Sequence, residues 1–378
     1  MRQELADSSS VEALHEFLLD RYSARDAVVV DSGTSALAMA FTVLRQALAV
    51  RGEGQHAVIA APAFVCPDVL TAAQAAGVRL HLYDLNPDTL SPELSSLRSA
   101  LTAGAHAVVA VHFFGYPFAV DDVRALCDAF GVPLIEDAAQ SAGAMFGGRP
   151  AGAHGDLSVL SFGRGKGIGG GGGGALLINR SAPDQLTSAG LVRPGPASLG
   201  VRHAAMGAAQ LLFEQRGWFA LPSAIPGLHL GEAVYHAPQP VSGISRYGAA
   251  LALASLSALT PAVAERAALA VQASDILAAS NLRVIVPAGT AGWLRLCALL
   301  DAPSADRLYR FGVRRPYPRL LTSYPDHQFT IANVQEAQPG SAQLANELVT
   351  FPTHRGARRA DYLAAMATLA SAATRSPR

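Results

Sequence analysis

The sequence predicts an α/β protein with a large, mainly parallel sheet covered by helices and a smaller C-terminal α/β lobe. Three observations predict it. Short apolar runs alternate with helix-period segments from residue 27 to about 130, the pattern of a doubly covered parallel sheet. Several of these runs stop at proline, glycine, hydroxyl or acid residues, which suit strand ends where ligands bind in such sheets. Finally, 378 residues at 50% hydrophobic supply core for one α/β unit with a lobe, or for two domains.

In chain order, Ser10 is placed to cap a helix whose apolar positions Val11, Leu14, Phe17 and Leu18 recur at helical spacing, within an N-terminal arm of residues 1–24. Residues 27–30 form a buried strand that breaks at Asp31, Ser32, Gly33, Thr34 and Ser35 into a helix carrying Leu37, Met39, Phe41, Leu44 and Leu48. A strand feeding a helix through glycine and hydroxyls makes an anion site, because free N–H groups and the helix dipole converge there. For that turn alone, simple capping by Ser32 or Thr34 is the commoner role. Strands follow at 58–61, 78–83 and 107–111, and helices at 69–76, 91–101 and 121–130, with Gly77 and Gly131 as stops.

The next apolar strand places Glu136, Asp137 and Gln140 at the binding edge, where an N-cap acid beside a surface glutamate is the alternative. Then come a strand at 157–162, Lys166 among glycines, six glycines at 169–174 and a strand at 175–178. Ordered glycine costs roughly 0.5–1 kcal/mol relative to alanine, so the run implies close approach. It is expected to turn tightly beneath Lys166 and pack near a partner subunit. Residues 247–279 form a helix linking the lobes, and 282–378 supply the small α/β domain, with a last helix at 360–373. The domains are therefore 1–24, 25–243 with an insertion at about 181–240, and 244–378.

Charge excludes some classes. Lys plus Arg equals Asp plus Glu at 29 each, so no global field or basic run argues for nucleic acid or an anionic membrane. Cys66, Cys127 and Cys297 are widely spaced, without metal spacing or a disulfide framework. No signal-length or membrane-spanning apolar run occurs, and a cytoplasmic location is expected. The run at 204–219 is apolar on nearly every helix face and is expected to be buried against the other lobe or subunit rather than to meet a membrane. Among scattered histidines, His112 and His154 lie near site segments, although a structural role is the ordinary one for each.

Three strand-end features now stand together: the turn at 32–35, Asp137, and Lys166 preceded by Ser161. Pyridoxal 5'-phosphate (PLP) needs a lysine for its aldehyde, an acid for its ring nitrogen and donors for its phosphate. A GxxxxGK[ST] nucleotide loop fails, since Leu160 and Gly167 stand where glycine and a hydroxyl are required. GxGxxG is met by Gly165, Gly167 and Gly170, but a glycine run meets it trivially, so a nicotinamide-type cofactor is the weaker alternative.

The chain also resembles a family. The segments 33–37, 61–69, 107–117, 134–166 and 171–176, then 221–236, 245–259, Tyr317 with Pro318, and 345–354, resemble the DegT/DnrJ/EryC1/StrS family of PLP-dependent sugar aminotransferases. The resemblance implies the type I aminotransferase fold and a homodimer with two shared sites. It implies Lys166 as the lysine that bonds the cofactor and shuttles protons, Asp137 as the ring-nitrogen partner, Gln140 on the ring hydroxyl, and Gly33, Thr34 and Ser161 on the phosphate. Arg246 matches a family arginine with at most a positioning role.

Two positions depart from the family pattern. Cys66 stands where many members stack an aromatic residue on the cofactor, so Phe64 is the alternative cover. Ile244 replaces an asparagine lent to the partner's phosphate, which puts that cross-subunit contact in doubt. The expected function is transfer of an amino group from an amino acid, glutamate in the first instance, to a nucleotide-linked keto-sugar, with His112 and Arg246 as candidate substrate contacts. The alternatives are a PLP-binding regulator or other non-catalytic member, and a sugar dehydratase. The dehydratase branch carries histidine at the lysine position, so Lys166 favours transamination.

Overall fold

The computed structural model describes residues 10–53, 57–163, 165–169, 171–188, 234–280, 282–324, 327–354 and 356–373. The apolar run at 204–219, and most of the expected insertion, lie outside the described residues.

Among the described residues, nine strands precede residue 179: β1 (Asp26–Val30), β2 (Val58–Pro62), β3 (Arg79–Tyr83), β4 (Ala107–Val111), β5 (Leu134–Asp137), β6 (Met145–Phe146), β7 (Arg149–Pro150), β8 (Leu157–Ser161) and β9 (Gly174–Ile178). Seven of them form one sheet in the order β1-β9-β8-β5-β4-β2-β3. β9 alone runs against the rest, pairing antiparallel with both β1 and β8. β4 is apolar throughout, as suits a strand covered on both faces, and every residue of β4 and β8 is buried. The pair β6 and β7 forms a separate hairpin.

The glycine stops behave as the sequence predicts. Gly77 and Gly131 end the helices Asp68–Ala76 and Val120–Phe130 in left-handed conformation, at φ 65° and 64°, which costs glycine little. The helix Gly33–Val50 is long and apolar enough to cross a bilayer, but it packs against the helix Asp68–Ala76 and the strands β8 and β9 as a core element.

Two elements differ from expectation. The helix expected at 91–101 begins at Leu94, since the backbone of Ser91, Pro92 and Glu93 is engaged with Asp84, Leu85 and Asn86. The linking helix is two helices, Arg246–Ser257 and Leu259–Ala279, bent by 61°. Pro261 has no N–H for the Ser257 carbonyl and its ring crowds that carbonyl, so a straight helix cannot run through.

The C-terminal part carries an antiparallel sheet of β10 (Arg283–Val284), β11 (Arg295–Leu299) and β12 (Leu348–Pro352), with the helix Arg359–Ala373 packed beside the helix Leu259–Ala279. It also seals the edge of the large sheet. Asn333 bonds both the N–H and the carbonyl of Leu82 in β3. The Asp84 carboxylate caps the helix Pro339–Glu347 through Gly340 N–H (2.8 Å) and Ser341 N–H (2.6 Å). An open edge strand is thereby covered, and the segment containing Tyr317 is brought over the sheet's binding edge.

Candidate active site

At the carboxyl ends of β1, β5 and β8 lies a cavity of about 230 Å³ whose walls include Ser32, Gly33, Thr34, Asp137, Gln140, Ser161 and Lys166. Strand polarity explains the gathering, because parallel strands deliver their C-terminal residues to one edge. Another cavity, about 280 Å³, lies among Tyr22, Arg124, Arg149, His154 and Asn179; neither Lys166 nor Asp137 reaches it.

The turn after β1 is built to hold an anion. Ser32 caps the helix Gly33–Val50, its Oγ accepting from Ser35 N–H at 3.0 Å. The other first-turn N–H groups have no partner within the helix and point out of its end. Gly33 lies against Ser161: a Cβ on it would stand 2.8 Å from Ser161 Cβ. Ser161 can therefore join the cradle only if residue 33 is glycine.

The glycine run has a task besides the turn expected near Lys166. A Cβ on Gly174 would lie 2.6 Å from Gly33 N, and one on Gly173 would lie 2.5 Å from Ile244 Cδ1. Phe162 N–H donates to the Gly173 carbonyl at 2.8 Å. The end of the run thus lets β9 pass against the turn at residues 32–35 of its own chain. Gly173, at φ 111°, takes a backbone conformation that favours glycine. Ile244 is buried on that glycine, which accounts for an apolar residue there.

Asp137 ends β5 and accepts from Ala139 N–H at 3.0 Å. Burial pushes its carboxyl up, while the Ala139 N–H and the charge of Lys166 partly offset this. A carboxylate so placed gains from a cation beside it. Gln140 bridges two regions: its Oε1 accepts from Phe114 N–H at 3.3 Å, and its Nε2 donates to Tyr317 Oη at 2.5 Å. Burial pushes the thiol of Cys66, another wall residue, up to about 12, Asp68 adding to the rise and Lys166 opposing it. The group stays a thiol at neutral pH.

Four expectations need correction. Glu136 does not face the cleft, because consecutive strand residues point to opposite faces. Its buried carboxylate takes hydrogen bonds from His112 Nε2 (2.7 Å), Gly152 N (2.6 Å), His154 N (2.7 Å), Gly155 N (2.8 Å) and Ser158 Oγ (3.2 Å). His112, a candidate substrate contact, is fully buried in that network and stacks on Phe118. Phe64 is also fully buried, edge-on to Tyr317 at 5.3 Å, so it packs behind the cleft and not on its wall. Arg246 is exposed in the first turn of its helix, outside the walls described. The sequence reading missed Tyr317 as a wall residue. Its only signal was the Tyr-Pro pair within the family resemblance, since nothing local ties it to Gln140, 177 residues away.

The donor set fits PLP. Gly33, whose added Cβ would fill the cradle beside Ser161, opens onto a helix N-terminus at one end; buried Asp137 stands at another and Lys166 completes the set.

Residues 3–190 match the DegT/DnrJ/EryC1/StrS aminotransferase family. Over 179 residues the chain is 32% identical to EpsN of Bacillus subtilis (strain 168), named as a pyridoxal phosphate-dependent aminotransferase, covering 46% of this chain and 44% of that protein. Over 144 residues it is 33% identical to dTDP-3-amino-3,4,6-trideoxy-alpha-D-glucose transaminase of Streptomyces venezuelae, covering 38% and 36%. The alignments therefore span less than half the length of these curated relatives. Among solved structures, DesI with its TDP-sugar product superposes with a TM-score of 0.70 at 22% identity, covering 97% of this chain and 86% of that one. That likeness establishes the shared fold.

Proposed function

We propose that this chain, whose residues 3–190 belong to the DegT/DnrJ/EryC1/StrS aminotransferase family, is a PLP-dependent aminotransferase that moves an amino group from an amino acid to a nucleotide-linked keto-sugar. The observation that carries the reading is the convergence of Lys166, Asp137 and the Gly33–Ser161 cradle on one cleft. Glutamate is the donor we favour, and the product would feed glycan, exopolysaccharide or secondary-metabolite synthesis. A homodimer with shared sites is part of the proposal.

The residues divide the work. Thr34, Ser161 and the N–H groups at the start of the helix Gly33–Val50 would hold the phosphate. Asp137 would pair with the ring nitrogen, and Gln140 would orient the ring oxygen. Bound PLP supplies an aldehyde that bonds amines and a protonated ring that takes up electrons. Lys166 Nζ would be the group that takes a proton from the substrate carbon and returns it at the neighbouring atom, a general acid–base role worth about 10²–10⁴-fold in rate. Tyr317 and Cys66 line the same cleft.

One spectrum tests the reading. Purified protein with PLP should turn yellow, glutamate should bleach that band in a half-reaction, and Lys166→Ala should never show it. A band that glutamate leaves unchanged would mark a PLP-retaining regulator. Wild type that takes up no PLP would refute the assignment.

A further inference from the structure

We infer that Tyr317 is a positioning residue: reaching in from the C-terminal part, it fixes the Gln140 carboxamide, whose other end Phe114 holds, so that an N–H faces the cofactor side of the cleft. The inference rests on the PLP reading above. A glutamine side chain has one acceptor end and one donor end. The end 3.3 Å from Phe114 N–H must be the oxygen, because a backbone N–H can only donate. That choice turns Nε2 toward Tyr317 Oη, 2.5 Å away, at the cleft that both residues line. Tyr317 takes one of the two Nε2 hydrogens. The other remains for a group in the cleft.

A separate observation points the same way. Phe114 sits at φ 55° and ψ 23°, a left-handed conformation that bulky residues rarely adopt and that persists where the surroundings over-determine it, often at functional sites. Here the surroundings are rigid. Gly115 is packed so closely that a Cβ on it would lie 2.6 Å from Leu294 N, and Gly292 N–H donates to the Gly115 carbonyl at 2.7 Å. The strained residue is the one whose N–H meets Gln140. Tyr317 is fixed as well, its ring 5.3 Å from Phe64 and 5.8 Å from Phe114. Burial keeps its hydroxyl protonated. Gln140 and Tyr317 belong to different parts of the fold, so movement of the C-terminal part away from the sheet would release the amide.

The test is a double-mutant cycle on Tyr317→Phe and Gln140→Ala, read by PLP titration of the yellow band and by the pH midpoint of that band. Phenylalanine keeps the ring contacts. The other titratable groups facing the cleft, Asp31, Asp68, Cys66, Asp137 and Lys166, are unchanged across the cycle, so a moved midpoint reports the amide. Tyr317→Phe is expected to weaken PLP binding about threefold to tenfold, the scale of one oriented hydrogen bond. It should move the midpoint in the same direction as Gln140→Ala, yet add less than about twofold in the Gln140→Ala background. Equal losses in both backgrounds, or an unmoved midpoint, overturn the inference. Urea unfolding of the cofactor-free proteins runs the same cycle without PLP: coupled effects support the Gln140–Tyr317 contact, and additive effects overturn it. Wild type that binds no PLP overturns the aminotransferase reading and the cofactor-facing half of this inference, leaving the urea cycle to decide the contact itself.

Discussion

Glu136→Gln isolates what holds the site's scaffold together from what performs its chemistry. The Glu136 carboxylate accepts two hydrogen bonds at Oε1, from His112 Nε2 and Gly152 N, and three at Oε2, from His154 N, Gly155 N and Ser158 Oγ. Glutamine offers one acceptor, so its NH₂ end must face at least two donors whichever way it turns. His112 cannot adapt. Its Nδ1 accepts from Phe118 N–H at 3.2 Å, which places the hydrogen on Nε2. Losing two charge-assisted bonds in a fully buried site costs about 3–5 kcal/mol. Urea unfolding of the cofactor-free protein should show that loss at unchanged m. A variant within about 1 kcal/mol of wild type would refute the reasoning.

The pH dependence of that scaffold has a defined sign. Burial alone would raise the Glu136 carboxyl, but the hydrogen bonds from His112 and from the Gly152 N–H outweigh it and hold the group at about 2. Its contribution to stability is therefore complete above the ordinary carboxylate range and is lost as pH falls from there toward 2, because the unfolded chain binds the proton first. Glu136→Gln should flatten this acid limb.

If Asp137 pairs with the ring nitrogen as proposed, Asp137→Asn removes an attraction of about 4 kcal/mol at about 4 Å and a dielectric of 20, so the half-reaction with glutamate should slow by roughly 10³-fold while the yellow band persists. Unchanged rates would remove Asp137 from its role. Gly174→Ala places a Cβ against Gly33 N and the Ser32 carbonyl; it should cost about 1–3 kcal/mol and weaken binding of PLP more than binding of dephosphorylated pyridoxal. Equal weakening of both ligands would argue against a phosphate turn at residues 32–34. Asp84→Asn leaves one carboxamide oxygen where two carboxylate oxygens meet Gly340 and Ser341 N–H, and a loss of about 1–2 kcal/mol is expected on thermal or urea unfolding. An unchanged transition would mean that this cap does not hold the C-terminal part to β3.

The sequence by itself determined the alternation of strands and helices, the glycine stops at Gly77 and Gly131, and the three strand ends that meet in the cleft. Those features are local: periodicity, left-handed caps and strand polarity follow from residues near one another in the chain. Tertiary structure decided which of two adjacent acids faces the cleft. Glu136 and Asp137 look alike in sequence, and only the pleat of β5 sends one to the His112 network and the other to the cleft. It also showed Phe64 and His112 to be packing residues, bent the linking helix at Ala258, and brought Tyr317 to Gln140 across 177 residues. The physical reason is common to all of these. Each depends on which groups are neighbours after folding, and neither composition nor spacing specifies a contact between segments that meet only when the sheet and the C-terminal part are both in place.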